Sequence, residues 1–111
     1  MMDRIQKFCS DRDWDQFHDP KELAIGLITE SSELLEIFRF QSKEQAMDLL
    51  NQPSKREAIE DEVADVFFFV LRFAAMNGID LGSVLERKIL KNEKKYPVEK
   101  ARGSNRKYTE F

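Results

Sequence analysis

The side chains in this sequence best suited to chemistry are carboxylates. Two acidic pairs recur at i, i+3, as Glu30-x-x-Glu33 and Glu62-x-x-Asp65. On a helix, where side chains advance by about 100° per residue, both members of each pair point to nearly one side. Glu30 then falls inside the edge of an apolar arc, between Leu34 and Ile37, with Glu33 beside it, while Glu36 faces the polar side. Glu62 and Asp65 share one stripe with Ala58, Phe69 and Met76. Like charges one turn apart destabilise an isolated helix by about 0.2–0.5 kcal/mol, and by more when partly buried. The positive N-terminal end of a helix dipole explains Glu57, Glu60 and Asp61, but not Asp65, three turns in, nor Glu30. Ion pairing is the other ordinary explanation, with Arg72 the partner in reach of Asp65. The chemistry that does need such a set is a hard-cation site. Oxygen ligands without imidazole or thiolate suit Mg²⁺, with Mn²⁺ as a substitute, and leave room for substrate phosphates.

Composition removes most competing chemistries. Cys9 is the only cysteine, which excludes a disulfide framework and a thiolate zinc site. His18 is the only histidine, which excludes zinc-protease, di-iron and Ser/His/Asp arrangements. With 111 residues, 41% hydrophobic and 35% charged, the chain is expected to form one domain over 1–111, neither a disordered tail nor a membrane span. The segment Met1-Met2-Asp3-Arg4 opens no apolar stretch of the kind a signal peptide needs, so a soluble, cytoplasmic protein is expected.

The net charge of −3 is unevenly spread, with nine basic residues against two acids from Arg87 to Lys107 and nine against nineteen elsewhere. An acidic body repels a nucleic-acid backbone, so stable nucleic-acid binding is not expected. A basic quarter beside acidic pairs instead suits a small ligand with a polyanionic end.

The elements that must position these groups are all helical. No run alternates apolar and polar residues in the manner of a strand. Asp19-Pro20-Lys21-Glu22 starts a helix over about 20–40, along which Leu23, Leu27, Leu34 and Phe38 recur at helical spacing. Ser42 with Gln45 starts a short helix through Leu50, stopped by Pro53. Ser54 with Glu57 repeats the capping pattern for a helix over about 55–77, and Asn77-Gly78 ends it. A last helix runs from near Asp80 to before Pro97, an N-terminal one covers about 3–13, and 98–111 reads as an extended basic tail. The expected fold is an all-α bundle of four to five helices. From Val63 to Met76 the longest helix is apolar on nearly every side, more than so few helices can cover, so burial between subunits of a homo-oligomer is expected.

With these pieces in place, the chain is identified as a likeness of a known family. Glu30-x-x-Glu33 followed by Glu62-x-x-Asp65 resembles the E-x-x-E…E-x-x-D motif of the MazG-like all-α nucleotide pyrophosphohydrolases. Arg12-Asp13-Trp14-Asp15-Gln16-Phe17-His18, Lys94-Lys95-Tyr96-Pro97 and Arg106-Lys107-Tyr108-Thr109-Glu110 are similar to segments of its dCTP pyrophosphatase branch. Thr29 stands where many such motifs carry a further glutamate, and Phe40 where related sequences place tryptophan.

The resemblance implies Mg²⁺-dependent hydrolysis of a nucleoside triphosphate, dCTP or a related deoxynucleotide, to monophosphate and pyrophosphate. Glu30, Glu33, Glu62 and Asp65 would be the metal ligands, one of them free to act instead as general base. Trp14 would wall the base pocket, His18 would give a hydrogen bond to base or sugar, and Phe69 and Phe40 would line the same cavity. Lys88, Asn92 and Lys95, at i, i+4, i+7 on one helix face, would bind the phosphates with Tyr96 beside them. Without the resemblance, that face reads as a solvated basic helix end, and the aromatic loop as one docked on the core. The competing functions are a relative acting on dUTP, phosphoribosyl-ATP or damaged nucleotides, and a non-catalytic helical metal-binding module.

Overall fold

The computed structural model describes residues 1–111 and is all-helical. It contains α1 (Met2–Asp11), a 3-10 turn (Asp15–Phe17), α2 (Pro20–Phe38), α3 (Lys43–Leu49), α4 (Pro53–Met76), α5 (Leu81–Lys95), α6 (Val98–Ala101) and a second 3-10 turn (Tyr108–Glu110).

Local sequence explains most of the boundaries. Asp19 Oδ1 accepts from the Glu22 N–H at 2.8 Å and Pro20 takes the first helical position, so α2 begins where its orphan donors are met. Ser42 and Gln45 close a reciprocal capping box at the start of α3, with bonds of 3.1 and 2.8 Å. Asp80 Oδ1 accepts from the Ser83 N–H at 3.3 Å to open α5. The expected box at Ser54 and Glu57 does not form. Pro53 itself takes the first position of α4, with Gln52 before it, which moves Ser54 inside the helix. Gly78, at φ +63°, lets the chain leave α4 through a left-handed residue that a side chain would disfavour.

Two other left-handed residues shorten expected helices. Asp13 (φ +55°) follows α1, which ends at Asp11 rather than near 13, and Phe40 (φ +65°) follows α2, which ends at Phe38 rather than 40.

The chain forms two compact units, residues 1–78 and 79–111. In the first, α2 packs along α4, and α1 packs on α4 as well. The core is slim: Cys9, Leu23, Ile59, Leu71 and Ala74 are buried, and so is Arg72. Ile25, Ile28 and Leu35 stay exposed along α2, as do Val63 and Phe67 on α4. No single helix is long and apolar enough to cross a membrane.

In the second unit the expectation of an extended tail is corrected. Val98–Ala101 turns helically, and the last residues fold onto the end of α5. The Tyr96 ring meets Tyr108 and Phe111 edge-on at 5.8 Å each, and Lys95 Nζ lies 4.9 Å from the centre of the Tyr108 ring. Aromatic edges and a cation on a ring face are the contacts that tie this short polar segment to the end of α5.

Candidate functional site

Packing of α2 on α4 brings acids from both helices together. Glu30, Glu62 and Asp65 each place a carboxylate oxygen within 4.8 Å of the other two. Glu33, one turn after Glu30, bears on both Glu30 and Glu62, near enough to share a proton with either. Glu30 and Glu62 are half-buried, whereas Glu33 and Asp65 are exposed, so the group is open on one side and closed on the other.

The closed side carries the informative atoms. Glu30 Oε2 and Glu62 Oε2 are buried and have no hydrogen-bond partner. An unmet buried carboxylate oxygen costs more than an unmet amide, and folded chains rarely tolerate one. Arg72 does not relieve them, because its guanidinium is turned to Asp15 and His18. Without a cation, only a shared proton can. Burial foremost, then the proton shared with Glu33 and the charges of Glu33, Asp65 and Glu62, pushes the Glu30 carboxyl up to about 7. Glu62 is raised too, by burial first and by Glu33 and Asp65 after it. A divalent cation satisfies both oxygens at once, and an oxygen-only donor set is the kind Mg²⁺ or Mn²⁺ takes.

Phe69 lies one turn after Asp65, and its half-buried ring rests on Gly26, one turn before Glu30. A Cβ on Gly26 would stand 2.6 Å from Phe69 Cζ, 2.7 Å from Cδ1, and nearer still to Cε1. The missing side chain therefore sets how closely the two acid-bearing helices approach. Alanine would gain roughly 1 kcal/mol of helix propensity, but overpacking of this kind costs about 1–3 kcal/mol. We expect Gly26→Ala to destabilise the fold by about 1–2 kcal/mol in urea titration, and the loss to vanish in a Phe69→Leu background.

The aromatic segment is built as a 3-10 turn rather than an open loop. Trp14 meets His18 edge-on at 6.4 Å and Phe8 at 5.6 Å. Phe8 continues to Phe68 at 6.1 Å, and Phe68 to Phe69 at 5.4 Å. A chain of rings thus runs from Trp14 to the acid-bearing face of α4. Phe8 and Phe68, with Met1, Arg4 and Ile5, also line an apolar cavity of about 310 Å³.

Other expected residues are placed differently. Phe40 is 88% exposed, its ring covered only by the Arg39 guanidinium at 4.6 Å. Lys88, Asn92, Lys95 and Tyr96 belong to the second unit, all exposed along α5 or at its end, with Tyr96 held in the tail's aromatic cluster. Sequence reasoning missed Arg72. It is 1% exposed, and its Nε donates to His18 Nδ1 at 2.8 Å while Nη2 bonds Asp15 Oδ1. An arginine inside an otherwise apolar helix was the available signal, since buried guanidinium must be paired.

The chain is similar to known proteins in sequence and in fold. The model of the MazG-like family matches residues 27–111. The chain is 36% identical over 105 residues to dCTP pyrophosphatase 1 of Rattus norvegicus, and likewise 36% to that of Homo sapiens, covering 95% of this chain and 62% of each relative. It therefore spans rather less than two thirds of the length of these curated relatives. A solved structure of a pyrophosphatase from Archaeoglobus fulgidus superposes with a TM-score of 0.80 at 34% identity, covering 86% of this chain and 87% of that one.

Proposed function

This chain belongs to the MazG-like family, and from that premise we propose that it is a Mg²⁺-dependent nucleoside triphosphate pyrophosphohydrolase. Its substrate is dCTP or a related deoxynucleotide, cut to the monophosphate and pyrophosphate. The observation that carries the reading is the pair of buried, partnerless oxygens on Glu30 and Glu62, whose carboxylates gather with Asp65 where α2 packs on α4. A structural acid cluster has no reason to keep such atoms, whereas a metal centre does. The names of the relatives, dCTP pyrophosphatase and pyrophosphatase, agree with it.

In this reading Glu30, Glu33, Glu62 and Asp65 hold the metal. When bound, Mg²⁺ supplies charge neutralisation to the triphosphate and a more acidic water. The protein positions. Phosphoryl chemistry asks little more of it than placement and electrostatic support. Trp14, His18 and Phe69 hold the base and sugar, the ring chain giving them a rigid wall, and Phe40 closes over the nucleotide from its exposed position. Lys88, Asn92, Lys95 and Tyr96 are assigned to the phosphates on the chemistry of their side chains. One of the four carboxylates would act instead as general base and take the proton of the attacking water.

A substrate panel tests the assignment. With Mg²⁺, dCTP, dUTP, the other nucleoside triphosphates and phosphoribosyl-ATP are compared for pyrophosphate release. We expect equimolar pyrophosphate and monophosphate, fastest from dCTP and absent in EDTA. Formation of a diphosphate and inorganic phosphate, or no turnover of any member, overturns it.

The same reading includes a homo-oligomer. Ile25, Ile28 and Leu35 recur on one stripe of α2, all exposed, and Val63 and Phe67 do so on α4. We expect light scattering to give a dimer or tetramer for the native chain, and Ile28→Glu with Leu35→Glu to give monomers.

A further inference from the structure

We propose that Arg72 is a positioning residue for nucleotide recognition: it fixes His18 as the tautomer that carries its proton on Nε2, so that His18 offers a donor to an acceptor on the base or sugar. This rests on the functional reading above, which gives His18 to the nucleotide.

The argument is one of hydrogen-bond direction. Arginine donates from every nitrogen and accepts at none. Its Nε reaches His18 Nδ1 at 2.8 Å, so Nδ1 must present a lone pair, and the imidazole proton is left on Nε2. The second arm of the fork bonds Asp15, which balances the guanidinium charge and keeps the fork from turning. Asp15 and His18 bracket the 3-10 turn Asp15–Phe17, so one guanidinium holds both ends of it to α4. Arg72 is 1% exposed while Asp15 is 53% exposed, which makes the arginine the fixed member and the turn the part that is held.

Nothing in the chain takes up the other nitrogen. His18 Nε2 makes no hydrogen bond within the protein, and the Trp14 ring meets the imidazole edge-on at 6.4 Å. A fixed donor beside an aromatic wall recognises an acceptor: a pyrimidine carbonyl, a ring nitrogen with a lone pair, or a sugar hydroxyl oxygen. The opposite tautomer would offer an acceptor there and would disfavour the same ligand.

Because His18 is the only histidine, its two nitrogens can be read without ambiguity in a long-range ¹H–¹⁵N correlation spectrum of the native chain. At neutral pH we expect Nδ1 unprotonated and Nε2 protonated, and a mixture of tautomers in Arg72→Met. In steady-state hydrolysis of the best triphosphate, Arg72→Met should raise KM roughly tenfold, the scale of one well-placed hydrogen bond, with kcat changed less than threefold. Arg72→Lys, which keeps a donor and the charge, should recover part of that affinity. In a His18→Ala background the Arg72→Met effect on KM should disappear, because the two residues act as one. Should Arg72→Met fail to fold, the spectrum of the native chain still decides the tautomer by itself.

A native spectrum with the proton on Nδ1, or an Arg72→Met effect that persists in the His18→Ala chain, overturns the proposal while leaving the hydrolase reading intact. No turnover by the native chain with any triphosphate removes both.

Discussion

Glu62→Gln will remain folded and lose turnover. Replacing one metal-facing carboxylate by its amide keeps shape and volume but removes a ligand charge. Loss of a single preorganised electrostatic group at a reacting centre costs about 10²–10³ in kcat, and loss of the ion itself more. The same substitution should make the metal-free protein more stable. The native Glu62 Oε2 has no donor and lies against Glu30, Glu33 and Asp65. An amide removes that repulsion and can donate to the orphaned Glu30 Oε2. A site built to hold a cation is strained without it, so activity and metal-free stability should move in opposite directions. Steady-state kinetics with Mg²⁺, and thermal denaturation in EDTA, check both halves. Retention of kcat within tenfold would count against Glu62 as a ligand.

The second large effect is the exchange of a proton for metal. The Glu30 carboxyl has an ordinary value of 4.5 and stands at about 7 in the fold, raised first by burial and then by its acidic neighbours. Folding therefore tightens the hold on this proton. Its contribution to stability is complete below the unfolded value and is lost as pH rises through the folded one. In EDTA the Tm should fall between roughly pH 5 and 8. Mg²⁺ needs the ionised carboxylate, so binding should release a proton below about pH 7, and affinity should climb with pH before levelling. The Tm gained from Mg²⁺ should accordingly be small in the acid arm and large in the alkaline one. Calorimetry in two buffers of different ionisation enthalpy measures the proton release directly. A metal-free Tm that rises across this range would show that Glu30 is already ionised.

Much of the site was legible in the sequence because two simple periodicities met. The acids recur at i, i+3 on α2 and α4; Asp19-Pro20 opens α2 as read, whereas α4 starts at Pro53 without the cap expected at Ser54. Glu30 and Asp65 stood out because they sat where their neighbours required apolar residues. The four carboxylates could therefore be placed on facing stripes before any tertiary contact was known.

What stayed hidden depended on contacts between distant parts of the chain. Arg72 was weighed only as a partner in reach of Asp65, the reading set aside for the metal site, whereas it bonds Asp15, 57 positions away. Helical spacing identifies which side chains share a face, and says nothing of the turn that covers that face. Gly26 carried no signal of its own, since only the Phe69 ring resting on it makes the absent Cβ necessary. The ends of α1 and α2 were overrun because Asp13 and Phe40 adopt left-handed backbone that their residue types do not demand. The tail was misread as extended because Tyr96, Tyr108 and Phe111 are scattered in sequence and meet only in the fold.

The central claim is that acids from α2 and α4 make one divalent-cation site. Titration with Mn²⁺, followed by electron paramagnetic resonance of the free ion, measures it without any substrate. The native chain should take up Mn²⁺ saturably, Mg²⁺ should displace it, and both Glu33→Ala and Glu62→Gln should weaken the uptake at least tenfold. Equal uptake by native and substituted chains, or none by the native chain, would contradict the account.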